Sequence, residues 1–211
     1  ALTNRSFLTF DAQAVGLRAE AFTMLRRAEE LDAHNPMVMQ SSGIVHVNLG
    51  DKATGIAKLE IALHHNPNSA LMCAQLGYGV GVTGEYARAE ELFTRCFNMA
   101  SHDPLMWAYE FWRGVVYTYQ PDKVVDAERM LRSALARQHG FAFGHIVLAM
   151  VLAATERLEE GKKELAVARE LEPLSNYDAV CAILRWSAAH QNMGEVFVEI
   201  FGQVWPEEER G

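Results

Sequence analysis

The hydrophobic pattern of this chain repeats itself, and three columns of positions keep one register through five copies, with steps of 34, 34, 38 and 34 residues. A small residue is followed four positions later by a large apolar residue, and three positions further by another small one. The columns are Ala21, Gly55, Ala89, Ala127 and Gly161; Leu25, Leu59, Phe93, Leu131 and Leu165; and Ala28, Ala62, Cys96, Ala134 and Ala168. Because such positions share one face of an α-helix, each copy predicts a helix that packs closely on its neighbours.

Turn residues precede these helices. Gly16, Gly50 and Gly84 occupy equivalent positions, and glycine suits the left-handed conformation that ends the preceding helix. Pro36 and Pro104 each stand at the opening of a further segment of helical periodicity. The pattern therefore predicts an all-α chain of antiparallel helical hairpins.

Residues 73–77 and 84–96 together resemble one copy of the tetratricopeptide repeat (TPR), and Trp107 supplies the aromatic residue that often opens such a repeat. The resemblance covers about residues 2 to 175. It implies a TPR solenoid, a right-handed superhelix of hairpins, with repeats at 2–35, 36–69, 70–103, 104–141 and 142–175. Residues 1–175 would form the array, and residues 176–211 the C-terminal capping helices and an acidic tail.

A second resemblance covers residues 103–175. The segments 103–108, 141–145, 149–153 and 171–174 look like the repeat region of certain bacterial signalling proteins. In those proteins the array follows a winged-helix DNA-binding domain or a class III adenylate cyclase domain. The resemblance implies that this chain is the C-terminal sensory or assembly part of a larger protein, although no catalytic or DNA-reading element of those domains is found in it.

The concave side of such a stack is formed by the first helix of each hairpin. The central column on that side is Phe10, Ile44, Tyr78, Trp112, Met150 and Leu184. The two flanking columns are Ser6, Gln40, Ala74, Ala108, Ile146 and Val180, and Thr3, Met37, Leu71, Leu105, Phe143 and Tyr177. Neighbouring polar positions are few: Gln13, Asn48 and Gln75. We therefore take as candidate partner-binding residues Phe10, Gln40, Ile44, Asn48, Tyr78, Trp112, Met150 and Leu184.

This concave wall is apolar and aromatic along its length, which allows two interpretations. The side chains either pack against one another and the chain's own C-terminal helix, or they form a groove for an amphipathic helix, an extended apolar peptide or a second copy of the chain. In a groove, Tyr78 and Trp112 would be the hot spots. A clamp for a peptide carboxylate is rejected, because Ser6, Phe10, Ser41, Leu71 and Gln75 occupy the positions where it needs Lys, Arg or Asn.

Charge and composition narrow the partner class. The net charge is −8, and the acidic residues Glu207, Glu208 and Glu209 lie near the C-terminal end, which disfavours direct nucleic-acid binding. The longest uncharged run, 142–154, is too short to cross a membrane, and no secretory signal is visible. Three scattered cysteines suit a reducing compartment. We therefore expect a cytoplasmic protein that binds neither nucleic acid nor membranes.

Catalysis and metal binding find little support in the sequence. His64 and His65 are adjacent in a helix and point about 100° apart, which disfavours a shared ion; His46 and His145 are interpreted as core residues. Metalloprotease, phosphate-loop and serine-hydrolase motifs are absent.

The sequence thus predicts a non-catalytic protein-protein interaction module or regulatory scaffold, without cofactor or metal, that binds a protein or peptide partner or associates with itself. The alternative is a sensory domain that binds a small apolar ligand within a bacterial transcriptional regulator or signalling protein.

Overall fold

The computed structural model describes residues 12–32, 34–172, 176–187 and 191–207, in which all regular secondary structure is helical. The α-helices are α1 (Ala12–Leu31), α2 (Pro36–Asn48), α3 (Lys52–His65), α4 (Ala70–Gly81), α5 (Tyr86–Met99), α6 (Met106–Thr118), α7 (Val124–Arg137), α8 (Ala142–Ala154), α9 (Leu158–Leu171), α10 (Tyr177–Ser187) and α11 (Gln191–Val204). A 3₁₀ turn at Pro121–Lys123 leads from α6 into α7.

Four helical hairpins, α2–α3, α4–α5, α6–α7 and α8–α9, make the closest packing in the molecule. Each hairpin also packs against the next one: α4 contacts α3 and α6, and α8 contacts α7. Helix α1 packs against α2, and α11 packs against α8 and α9. The chain is therefore an all-α helical solenoid, and the predicted fold class is confirmed.

The three columns of small and large apolar residues form the contacts between helices. The large residues Leu59, Phe93 and Leu131 have no exposed surface, and Leu165 is 2% exposed. The small residues Ala62, Cys96, Ala134 and Ala168 are equally buried beside them. In the first copy, Leu25 and Ala28 are only half-buried, because α1 has a neighbour on one side alone among the described helices. Burial of the same face in successive hairpins produces two hydrophobic clusters, with Leu59, Phe93 and Leu165 in one and Leu131 in the other.

The first copy differs from the prediction. Helix α1 runs without interruption from Ala12 through Gly16 to Leu31, so the turn predicted at Gly16 is not formed. Glycine inside a helix costs only about 1 kcal/mol relative to alanine, which the surrounding helix formers offset. The prediction of a hairpin turn at Gly16 is therefore wrong. Residues 1–11, including the candidate Phe10, lie outside the described residues.

Positive backbone angles mark the turns between the two helices of a hairpin. Gly50 has φ 92° and Gly84 has φ 93°, as the turn prediction requires. At the equivalent position of the last hairpin, reached from Gly84 by steps of 38 and 34 residues, the chain has Glu156 with φ 62°. A side chain there opposes the conformation that the turn imposes.

Replacing Glu156 with glycine is expected to stabilise the protein. The left-handed conformation costs a non-glycine residue about 1–2 kcal/mol, and glycine would avoid this cost. The greater flexibility of glycine in the unfolded chain cancels about 0.5–1 kcal/mol of the resulting stabilisation. Urea denaturation of Glu156→Gly should therefore show a gain of about 0.5–1 kcal/mol. The control Glu156→Gln removes the charge, keeps the Cβ atom and should show no gain. A loss of stability in Glu156→Gly would contradict the assignment of this turn.

The C-terminal helix α11 closes one end of the stack. Phe201 is fully buried, and Val204 and Trp205 are 3% exposed. The contact is close because Gly161 on α9 has no side chain: a Cβ atom there would lie 2.8 Å from Val204 Cγ1. Arg169 of α9 lies over the ring of Trp205 at 5.1 Å. Helix α11 therefore packs closely against the last hairpin, and residues 208–211 of the acidic tail lie outside the described part.

Among the helices of the described residues, none combines the length and the apolar character needed to span a membrane.

Candidate functional site

A cavity of about 500 Å³ lies on the inner side of the solenoid. Its walls come from the first helix of each hairpin, α2, α4, α6 and α8, and from the capping helices α10 and α11. Charged residues are missing from the described part of this lining, which is formed by aliphatic and aromatic side chains and a few amides and hydroxyls. The cavity therefore follows the row of helices that the sequence predicted for the concave side.

Seven of the eight predicted site residues line this cavity, and Phe10 is outside the described residues. Tyr78 and Met150 are each 7% exposed, Gln40 is 5% exposed and Leu184 is 3% exposed. Ile44, Asn48 and Trp112 are half-buried. The ring of Trp112 lies 6.4 Å from that of Tyr78, tilted by 30°, so the two aromatic residues form one continuous wall.

The first flanking column is divided between two environments. Its members Gln40 and Ala108 line the cavity. Ala74, Ile146 and Val180 are completely or almost completely buried and do not reach the cavity. In the other column Met37, Leu71, Leu105 and Phe143 line the cavity. Tyr177 does not, because it stacks on Phe201 of α11 with ring centroids 5.8 Å apart.

Several lining residues were missed by the sequence analysis. Val115 and Tyr119 follow Trp112 by three and seven positions, so the helical period could have identified them. Phe111 and Phe141 form an edge-to-face pair at 4.8 Å. Neither belongs to a repeated column.

The capping helix adds two further lining residues, Phe197 and Ile200, that no register predicted. Phe197 reaches Tyr119 at the end of α6, with ring centroids 5.2 Å apart. The apolar wall is therefore partly covered by the chain's own C-terminal helix, and a cavity remains beside that helix.

Polar groups of the cavity concentrate on α2 and α4. Gln40 Nε2 donates a hydrogen bond to Gln75 Oε1 at 2.8 Å, and both side chains are buried. Gln40 Oε1 is buried and accepts no hydrogen bond from any residue that the structure describes. Burial raises the pKa of Tyr78 to about 12, so its hydroxyl stays protonated and keeps a proton to donate. This end of the cavity offers neutral hydrogen-bonding groups.

No charged side chain of the described residues lines the cavity, and several ion pairs join the second helices of successive hairpins. Arg88 pairs with Glu60, and Arg157 pairs with Glu128 at 2.7 Å, so each pair joins successive outer helices. Burial alone would raise the pKa of Glu128, but hydrogen bonds from Arg132 and Arg157 outweigh it and lower that pKa. Exposed pairs of this kind contribute little stability individually. Their placement leaves the inner surface neutral.

Two of the histidines lie beside a carboxylate group of the same chain. His46 Nδ1 lies 3.2 Å from Asp51 Oδ2, and His145 Nδ1 lies 2.7 Å from Glu164 Oε2. His64 and His65 are exposed, with their rings edge-on at 5.8 Å. Within the residues that the structure covers, no group of three metal-ligating side chains comes together.

The three cysteines are buried and free. Burial raises the pKa of Cys96 to about 12 and also raises those of Cys73 and Cys181, so all three thiols stay protonated at neutral pH.

Comparison with solved structures places the fold among TPR-type solenoids. The TPR protein TTC0263 from Thermus thermophilus aligns with a TM-score of 0.66 and 19% sequence identity, over 88% of this chain and 98% of that protein. YrrB, described as a TPR protein with an unusual peptide-binding site, aligns with a TM-score of 0.48 and 14% identity over 87% of this chain and 93% of its own. MamA MSR-1 aligns with a TM-score of 0.48 and 23% identity over 74% of this chain and 88% of its own.

Of these three alignments, the one with the Thermus protein shows the likeness in fold. No family model and no curated protein matches the chain. The TPR-type fold defines the class of architecture, and function has to be argued from the cavity.

Proposed function

We propose that this chain is a non-catalytic protein-interaction module whose cavity binds an uncharged, apolar segment of a protein partner. The observation that carries the proposal is the continuous aromatic and aliphatic lining, supplied by every hairpin from α2 to α9 and free of charged side chains in the described residues. A charged segment would lose its hydration there without gaining an opposite charge. An apolar segment would gain free energy from every Å² that it removes from water.

Tyr78 and Trp112 would be the anchors of this interface. They adjoin one another in the middle of the cavity, and large aromatic residues dominate the binding energy of protein interfaces. Gln40, Ile44, Asn48, Met150 and Leu184 would complete the contact surface on either side. The cavity would thus recognise its partner by shape and apolar surface.

One observation favours a second candidate, a sensory domain that holds a small apolar ligand. The cavity volume of about 500 Å³ falls within the range of small-molecule pockets, and α11 covers one end of it. Such a domain would act as the sensory part of a bacterial transcriptional regulator or signalling protein. Native mass spectrometry of the purified chain separates the candidates, because a retained small adduct favours the sensor, and its absence favours the interaction module.

Site-specific photo-cross-linking tests the proposed interaction directly. A benzophenone amino acid at Met37, which is 59% exposed and lines the cavity, should cross-link one defined segment of a partner in cells. The same amino acid at Val125, which is 80% exposed on the second helix of its hairpin, is the control. Sequencing of the cross-linked peptide should show an uncharged apolar segment. Cross-links to a charged segment, or equal yields at both positions, would contradict the proposal; a cross-link to this chain itself would identify the partner as a second copy.

A further inference from the structure

The amide groups of Gln40 and Gln75 make the N-terminal end of the cavity chemically different from the rest. The two side chains come from successive hairpins and are 5% and 6% exposed. Their mutual hydrogen bond gives Gln40 Nε2 and Gln75 Oε1 a partner, and among the described residues Gln40 Oε1 has no donor. Both residues line the cavity.

A buried carbonyl oxygen without a donor is unfavourable for folding, because it has lost its hydrogen bonds to water and gained none. Two apolar residues of the same shape would pack here at no such cost. A polar group that destabilises the fold and still lies in an apolar cavity is expected where that group binds a ligand.

The ligand must bring a hydrogen-bond donor and no charge. Rotation about the last side-chain bond of a glutamine is soft, so a donor that enters the cavity can be met by Gln40 Oε1. Arginine and lysine donors are disfavoured, because the described lining offers no carboxylate to neutralise them. A main-chain N–H of a peptide is a neutral donor of this kind.

The spacing of polar groups along α2 favours a peptide over a compact small molecule. Gln40 and Asn48 lie on the cavity side of the same helix, eight residues and therefore about 12 Å apart. An extended chain covers that distance in about four residues. The aromatic wall of Tyr78 and Trp112 lies beside this row and can accept an apolar side chain of the same segment.

We propose, as a deepening that rests on the proposed function, that Gln40 and Gln75 bind the extended main chain of the partner segment, with Gln40 Oε1 accepting a hydrogen bond from one peptide N–H. The amide pair selects an uncharged, extended peptide with a free N–H at one position. The apolar wall of Tyr78 and Trp112 binds the side chain of the peptide residue that follows this N–H.

The test combines a change in the peptide with a change in the protein. Acetylated and amidated hexapeptides without charged residues, each with one Phe, Trp or Leu, are screened by calorimetry, and each N–H of the best binder is methylated in turn. Methylation at one position should weaken binding to the wild-type chain about tenfold. In the variant Gln40→Met/Gln75→Met the same methylation should change the affinity by less than about twofold, because the acceptor is gone.

Stability measurements guard against a folding artefact. The double methionine variant should unfold at the same urea concentration as wild type or at a higher one, since an unsatisfied polar pair is replaced by apolar side chains of similar shape. Gln138→Met, at an exposed position at the end of α7, is the matched control and should retain the full methylation penalty.

Each remaining outcome overturns a distinct statement. An equal methylation penalty in wild type and in the double variant would overturn the assignment of Gln40 and leave the proposed interaction module intact. If none of the peptides binds the wild-type chain, this inference is overturned. If a neutral fatty amide or alcohol binds in their place, the interaction module is overturned as well, in favour of the sensor.

Discussion

Gly55→Ala is expected to lower the free energy of unfolding by about 3 kcal/mol or more, at or above the upper end of the range for overpacked cores. A Cβ atom at position 55 would lie 2.6 Å from the carbonyl oxygen of Gly43 and 2.7 Å from the backbone nitrogen of Val47. Backbone atoms cannot rotate out of the way, so α2 and α3 would have to separate. The separation would open the packing of Leu59, which is fully buried against the same helix pair.

Urea denaturation followed by circular dichroism measures this loss, and Gly140→Ala is its matched control. Gly140 lies in the turn between α7 and α8, where a Cβ atom would meet no atom within 4 Å and the backbone angle is not in the left-handed region. The control should change stability by less than about 0.5 kcal/mol. Similar losses in the two variants would show that α2 and α3 do not cross at Gly55.

Truncation of the central aromatic pair is expected to weaken partner binding by about 100-fold or more in the double variant Tyr78→Ala/Trp112→Ala. Trp112 lies between Tyr78 and Tyr109, with ring centroids 6.4 and 6.3 Å away; it is half-buried and lines the cavity. Its removal would take away contact area in the middle of the proposed interface. The partner segment identified by cross-linking at position 37 is the ligand for this titration.

Stability decides how that loss is interpreted. Tyr78 is largely buried, so the double variant will also lose some stability, and its melting curve must remain cooperative for the binding result to count. Phe97→Ala is the control, because Phe97 is a half-buried aromatic residue on the second helix α5, beneath the guanidinium of Arg113. Unchanged affinity in the double variant, or an equal loss in Phe97→Ala, would contradict the proposed interface.

The hairpin array could be predicted from the sequence because its packing repeats. Leu59, Phe93 and Leu131 fill the same environment in successive copies, so one register describes many contacts. The same logic located seven lining residues, since the first helix of each hairpin is oriented by the helix behind it. Even Glu156 fits this register, although the residue itself gives no sign of the left-handed conformation that it adopts.

The two ends of the chain could not be predicted in the same way, because their neighbours do not repeat. Gly16 looked like Gly50 and Gly84, yet it lies within a continuous helix, since a lone glycine is compatible with either conformation. At the other end, Phe197 and Ile200 enter the cavity from a helix whose position depends on tertiary contacts with α8 and α9. No periodicity marks such contacts.

The central claim is that a partner segment lies inside the inner cavity, against the row of first helices. Intermolecular nuclear Overhauser effects between the ¹³C-labelled chain and the unlabelled segment test it most directly. The structure predicts contacts from the apolar side chain of the segment to the methyl groups of Leu105, Val115 and Met150. Contacts confined to the outer surface of α5, around Glu90, Arg95 and Met99, would contradict the claim.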